Sequence, residues 1–258
     1  MESQFQTVAG GLSSRLRRQT PTEKPLSSSA SASKAAVCET CGGLGQVRYD
    51  VQIGDPRFGK LFPCPSCRVD AMVQSAGLTL TERSTTLTDI ETRNRPGAAT
   101  MLRAAREWIA GGRVGTLAVH GGFGNGKSTL LRALVNDCLA HHVEARYVSM
   151  IEVLAYAKEA FGSTDAGDSD FSRLTKLART QVLVIDELDK ARQTEYSVQL
   201  QNHLFEVRYR ERDRLGTVVA WNGRFEDFDL PWVRSRLSEG VVVHNGDADM
   251  RPLLGEKA

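Results

Sequence analysis

The hydrophobic pattern separates a polar N-terminal part from a longer region in which apolar strands alternate with amphipathic helices. Short apolar runs predict strands at 115–121, 144–150, 181–187, 216–222 and 239–245. Helical spacing predicts helices at 98–111, 127–142, 150–161, 171–180 and 196–214. The helix at 98–111 is expected to bury Met101, Leu102, Ala105, Trp108 and Ile109, and that at 150–161 to bury Ile151, Leu154, Ala155 and Phe161. This alternation predicts βαβ units and an α/β fold with a mainly parallel sheet covered by helices.

Composition sets the domain organisation. Residues 1–37 are rich in Pro, Ser and Ala and carry five Lys or Arg against two Glu, which predicts a disordered basic tail and linker. We expect a small Cys-rich domain at 38–70 (the Cys module), a connector at 71–83 and the α/β domain at 84–258. The net charge of +2 does not by itself indicate a nucleic-acid-binding protein. No apolar run reaches the roughly 18–20 residues that span a bilayer, and a secretory signal is lacking, so a cytoplasmic protein without membrane contact is expected.

A phosphate-binding loop follows the strand at 115–121. The sequence GGFGNGKS at 121–128 (the phosphate loop) fits G-x-x-x-x-G-K-[ST] between a strand and a helix. Lys127 is expected to reach the β- and γ-phosphates and Ser128 to ligate Mg²⁺. The predicted nucleotide contacts are Gly121, Gly122, Phe123, Gly124, Asn125, Gly126, Lys127, Ser128, Thr129 and Asp186.

Polar side chains end the two strands after that loop. Asp186 follows an apolar strand and is predicted to bind the magnesium ion, while Glu187 is placed to polarise the attacking water. An acid that only caps the following helix is the alternative. Asn222 ends the strand at 216–222, where it either hydrogen-bonds the γ-phosphate or the water, or simply makes the turn before Gly223. Two adjacent acids favour hydrolysis of ATP over storage of the nucleotide.

Two Cys-x-x-Cys pairs, Cys38/Cys41 and Cys64/Cys67, are typical of a zinc ribbon, in which two tight turns meet at a tetrahedral Zn²⁺. About thirty residues are too few to fold without such a cross-link. Two disulfides or an iron–sulfur cluster are the alternatives. Cations and aromatic residues between the pairs indicate either single-stranded DNA binding or a solvated hairpin face: Arg48, Tyr49, Arg57, Phe58, Lys60 and Phe62.

The motifs HGGFGNGKST, VLVIDEL, FEVRYRERDRLGTVVAWN and VRSRLSEG together resemble the AAA+ ATPases of the bacterial helicase-loader group, the DnaC/DnaI-like proteins. The transposition helper IstB is close kin of this group. The resemblance covers about residues 84–250. It implies an AAA+ P-loop domain with the helical lid absent or truncated, which agrees with the 18 residues from 241 to the end.

The resemblance also implies roles for single residues. Asn222 is expected to be the first sensor and Arg236 an arginine finger acting in trans, although spacing alone leaves Arg234 and Arg236 as possible surface charges. Arg208 is expected near a subunit interface or DNA, and Lys158 and Arg210 are further candidate DNA contacts.

The implied function is an ATP-dependent loader that recruits a replicative DNA helicase to single-stranded DNA and self-associates with ATP. The zinc domain of DnaI-type loaders contacts the helicase, so the Cys module is expected to be a docking module. Two alternatives stay open, an IstB-like transposition helper and a non-catalytic adaptor that binds nucleotide. Glu187 argues against the adaptor, and the Cys module argues against the transposition helper.

Overall fold

The computed structural model describes residues 5–6, 38–42, 44–158 and 169–251. The chain divides into two compact units, Met1–Ala71 and Met72–Ala258. Within the first unit, β1 (Phe5–Gln6), β2 (Gln46–Tyr49) and β3 (Leu61–Pro63) form a three-stranded antiparallel sheet. The rest of the predicted tail, at 1–4 and 7–37, lies outside the described residues. Helix α1 (Pro65–Ser75) follows β3, and the boundary between the units falls inside it.

The second unit contains a five-stranded parallel sheet covered by helices. Its remaining elements, in chain order, are α2 (Pro96–Ala110), β4 (Gly115–Gly121), α3 (Lys127–Ala140), β5 (Ala145–Ser149), α4 (Met150–Lys158), α5 (Asp170–Ala178), β6 (Val182–Asp186), α6 (Glu195–Arg210), β7 (Gly216–Asn222), α7 (Pro231–Leu237) and β8 (Val241–Asn245). The strand order is β5-β6-β7-β4-β8. The predicted α/β fold with a parallel sheet is confirmed.

The sheet order explains the hydrophobic pattern. Strand β6 lies between β5 and β7, so all five of its side chains are buried, as its unbroken apolar run predicts. Two cores lie on the two faces, one formed with α2 and α3 and the other with α4 to α7. Since β4, β6 and β7 run parallel, their carboxyl ends meet at one edge, where open α/β sheets bind ligands.

Two details of the pattern differ from prediction. The buried face of α2 is as expected, but α4 buries Met150, Val153, Leu154 and Ala157 and exposes Ile151 and Ala155, while Phe161 lies outside the described residues. An apolar residue at the first turn of a short helix is a poor guide to the face that packs. The segment at 231–237, for which no helix is predicted, forms α7 with Pro231 at its first position, where the missing N–H has no cost.

Among the described residues, every helix falls short of the length and apolar character that crossing a bilayer requires.

Candidate functional site

A cleft of about 710 Å³ lies at the carboxyl ends of β4, β6 and β7. The register of the sheet brings its residues together, because Gly121 on β4 pairs with Asn222 on β7. Asp186 ends β6, the neighbour of β7. The predicted residues that line the cleft are Phe123, Gly124, Asn125, Gly126, Lys127, Ser128, Thr129, Asp186, Glu187 and Asn222.

The phosphate loop has the conformation that an anion site needs. Gly124 and Gly126 have φ angles of 62° and 93°, in the left-handed region that favours glycine. Helix α3 begins immediately after Gly126, so the N–H groups of its first turn point toward the cleft without partners inside the helix. Such a helix start binds anions, phosphate in particular.

Lys127 is buried at the centre of the cleft. Its ammonium group donates to the Gly121 carbonyl at 3.2 Å, to Asn125 Oδ1 at 3.0 Å and to Asn222 Oδ1 at 3.2 Å. Burial lowers the pKa of Lys127, and the Asp186 and Asp189 carboxylates oppose that shift. A buried ammonium held only by neutral oxygens is a strong site for a phosphate anion.

The acids of the cleft are held in different ways. Asp186 is buried, and its two oxygens accept from the Tyr147 hydroxyl at 2.6 Å and from the backbone N–H of Glu187 at 2.8 Å. Burial, followed by the Asp186 charge, raises the pKa of Tyr147 well above its usual value, so the phenol remains a donor. Glu187 has an exposed side chain and a left-handed φ of 51°, which ends the strand and turns the chain at the cleft.

The oxygen ligands of the cleft fit Mg²⁺. The Ser128 hydroxyl and the Asp186 carboxylate both line it, and hydroxyl and carboxylate oxygens are the ligands that this hard cation prefers. A bound Mg²⁺ would supply charge neutralisation to the phosphates.

Sequence reasoning missed several residues here. Asp189 accepts from the backbone N–H of Asn222 at 3.2 Å and from its Nδ2 at 3.4 Å, and it fixes the amide that faces Lys127. Arg95 donates to the Asn125 carbonyl at 2.9 Å. Met250, after β8, donates its N–H to the Gly124 carbonyl at 3.1 Å and brings Arg251 to the cleft. The third acid of DELD was a visible signal and Arg251, in DADMRPLL, is a weak candidate for a second sensor arginine, whereas Arg95 lies outside any motif.

Arg236 lies away from the cleft. Its guanidinium stacks over Tyr209 at 4.0 Å and Trp232 at 5.0 Å and lies 3.6 Å from a Glu239 carboxylate oxygen. It is not among the described residues that line the cleft of its own chain.

The predicted DNA contact at Arg208 is wrong. Its side chain is 1% exposed, and its guanidinium donates to Thr217 Oγ1 at 2.7 Å, to the carbonyls of Ala178 and Thr180, and to the Gly216 carbonyl. Burial lowers its pKa to about 9, which still leaves it charged at neutral pH. Arg208 therefore joins α5 and α6 to β7 and is not available to DNA or to another subunit. Lys158 and Arg210 are exposed, and Arg210 is paired with Glu206 at 2.7 Å.

The Cys module forms a second candidate site. The four Sγ atoms of Cys38, Cys41, Cys64 and Cys67 all lie within 4.8 Å of one another. The Sγ atoms of Cys38 and Cys64 are 3.8 Å apart, and those of Cys41 and Cys67 are 3.5 Å apart. A tetrahedral Zn²⁺ with bonds of about 2.3 Å holds its sulfurs about 3.8 Å apart, so the cluster fits zinc.

Backbone hydrogen bonds favour the thiolate at Cys38, whereas hydrogen bonds with the Cys41 and Cys38 thiols raise the pKa of Cys67. Gly45 donates its N–H to Cys41 Sγ at 3.3 Å. Hydrogen bonding to the backbone of Cys41, then to the Cys67 thiol, lowers the pKa of Cys38 to about 6. All four cysteines are free thiols, and two disulfides are not formed.

We expect one structural zinc ion per chain, because four thiolates leave no position for water. Elemental analysis of purified protein should give about one equivalent, falling below half in Cys41→Ser. Cys138→Ala is the matched control, since Cys138 is buried in α3 and burial raises its pKa to about 12. Purified wild-type protein with less than half an equivalent and oxidised thiols would rule out the zinc site.

Fold and cleft define a P-loop nucleotide-binding protein. Residues 117–245, half of the chain, match the family described as "ATPase family associated with various cellular activities (AAA)". The chain belongs to the AAA family of ATPases.

Several solved structures share the fold. The structure of DnaI is 18% identical with a TM-score of 0.53, covering 67% of this chain and 94% of that one. The DnaC helicase loader is 17% identical with a TM-score of 0.53, covering 65% and 99%. The replication initiator DnaA bound to AMPPCP and single-stranded DNA is 17% identical with a TM-score of 0.55, covering 67% and 54%, so the chain spans about half of its length. No curated protein matches the chain significantly.

Proposed function

We propose that the protein is an ATP-hydrolysing loader that recruits a replicative DNA helicase to single-stranded DNA during the initiation of replication in the cytoplasm. The observation that carries the proposal is the presence of a four-cysteine cluster in one unit and of a nucleotide cleft in the other. The likeness of fold to DnaI and to the DnaC helicase loader supports this assignment among AAA ATPases.

The cleft contains residues suited to phosphate binding, Mg²⁺ binding and activation of water. Lys127 exchanges its neutral oxygen partners for the β- and γ-phosphates, while Ser128 and Asp186 would hold Mg²⁺. The exposed Glu187 carboxylate accepts a proton from the attacking water. Asn222, held by Asp189, directs its amide toward the γ-phosphate.

DNA contact is proposed for the exposed cations on the helical face of the AAA unit. Lys158 ends α4 with its ammonium 5.7 Å from the Tyr196 ring, and Arg210 is exposed at the end of α6. An aromatic ring next to a cation can stack on a base while the cation contacts the phosphate of the same nucleotide. Binding by a few cations should weaken steeply with salt.

The surface of the Cys module favours a protein partner over DNA. Its exposed large apolar side chains are Leu44, Ile53, Phe58 and Leu61, and they share the surface with the exposed cations Arg48 and Lys60. Arg57 is paired with Asp55 at 2.8 Å, as Arg210 is with Glu206, and Tyr49 packs edge-on against Phe62 at 5.2 Å. Exposed apolar patches mark protein interfaces. We therefore assign helicase docking to this module.

Deleting residues 1–63 should abolish helicase recruitment while leaving ATP-dependent DNA binding within about threefold. The deletion keeps α1, whose Met72 belongs to the core of the AAA unit. A pull-down assay measures helicase recruitment, and DNA binding at two salt concentrations measures whether ATP-dependent DNA binding is retained. Ile53→Ser with Leu61→Ser should weaken recruitment about tenfold or more, whereas the control Ile151→Ser, on α4 and about as exposed as Leu61, should not. A truncated chain that still delivers helicase, or a full chain that binds a transposase and no helicase, would refute the loader assignment.

A further inference from the structure

Tyr147 belongs to no recognised motif, yet its hydroxyl donates to Asp186 Oδ2 at 2.6 Å inside the cleft. We propose that Tyr147 is a positioning residue that orients the Asp186 carboxylate for Mg²⁺. The inference rests on the proposed binding of Mg²⁺-ATP. Tyr147 reaches Asp186 because β5 and β6 are neighbouring parallel strands, with Ser149 paired to Asp186.

Two donors fix the rotation of the carboxylate. Asp186 Oδ1 accepts from the backbone N–H of Glu187, and Oδ2 accepts from Tyr147. Each oxygen retains a lone pair for a metal ion or its bound water. Asp186 is only 5% exposed, and removal of the phenol hydroxyl takes away one of its two hydrogen-bond donors. The carboxylate would then be free to rotate away from the metal position.

Tyr147 is itself held from several sides. The Arg132 guanidinium lies 5.5 Å from the centre of its ring. Its backbone N–H donates to the Ala76 carbonyl at 2.8 Å. The chain at Ala76 therefore covers β5, which is an edge strand of the sheet. The next residue, Gly77, has a φ of 75°, and a Cβ there would lie 2.1 Å from the Tyr147 carbonyl oxygen. The chain after α1 therefore packs directly against the backbone of Tyr147, which sets the position of the phenol.

This arrangement predicts a specific defect in Tyr147→Phe. The ring, its contact with Arg132 and the backbone clamp remain, and only the hydrogen bond to Asp186 is lost. Removing a partner that orients a metal ligand typically lowers metal affinity about 10- to 100-fold. Contacts of the phosphate loop with the nucleotide are untouched, so binding of nucleotide without metal should change less than about twofold.

The experiment measures the affinity of the full chain for a fluorescent ATP analogue with Mg²⁺ and with EDTA. In wild type, Mg²⁺ should strengthen binding, and in Tyr147→Phe this enhancement should fall about tenfold, with a matching shift in the Mg²⁺ concentration required. Tyr156→Phe is the control, because Tyr156 on α4 is also partly buried but does not line the cleft. Thermal unfolding of both variants checks that the fold is intact.

The outcomes separate the two proposals. Equal Mg²⁺ enhancement in wild type and Tyr147→Phe overturns the role of Tyr147 and leaves Mg²⁺-ATP binding standing. If Tyr147→Phe weakens nucleotide affinity equally with Mg²⁺ and with EDTA, Tyr147 has only a structural role, and the proposed positioning role is overturned. A wild-type chain that binds nucleotide without any effect of Mg²⁺ overturns the proposed function together with this inference.

Discussion

Glu187→Gln is expected to bind ATP as tightly as wild type and to hydrolyse it about a hundredfold to ten thousandfold more slowly, the usual contribution of a general base. Gln fills the same volume and makes a polar contact with water, but it cannot accept the proton. The backbone N–H of residue 187, which holds Asp186, is unaffected. Single-turnover hydrolysis and equilibrium nucleotide binding measure the two effects separately.

Lys127→Ala is the complementary variant. Its ammonium is the buried cation that the phosphates would meet, and each charge-assisted hydrogen bond contributes roughly 1.5–3 kcal/mol. Loss of two such bonds should weaken ATP binding by at least about a hundredfold.

Glu195→Gln, an exposed acid at the start of α6 outside the cleft, should match wild type in both assays. Wild-type turnover in Glu187→Gln would remove Glu187 from the role of base.

Arg236→Ala should slow hydrolysis about a thousandfold or more while nucleotide affinity stays within about threefold, if Arg236 completes the cleft of a neighbouring subunit. Arg236 does not line the cleft of its own chain among the described residues. Its stacking on Tyr209 and Trp232 contributes about 0.5–2 kcal/mol, whereas a thousandfold rate effect corresponds to about 4 kcal/mol, so the stack does not prevent such a role.

Mixing two inactive variants distinguishes action in trans from a structural defect. In an equimolar mixture of Arg236→Ala and Glu187→Gln, about a quarter of the interfaces combine an intact base with an intact finger, so about a quarter of the wild-type rate should return. Arg234→Ala is the matched control, because Arg234 on the same helix donates to the Glu226 carbonyl and should retain activity. Folded, co-assembling variants that give no recovery would exclude a finger in trans.

The sequence by itself determined the parallel α/β fold, the phosphate loop, the acidic end of β6 and the two cysteine pairs. Each depends on local rules, since an unbroken apolar run predicts a strand buried on both faces and the loop motif fixes its own backbone. Which side chains meet across strands or helices depends on sheet order and packing, which local spacing does not contain. Only the tertiary structure therefore decided that Tyr147 holds Asp186, that α4 turns Ile151 outward, and that Arg208, inside an apparently basic helix, is buried against β7.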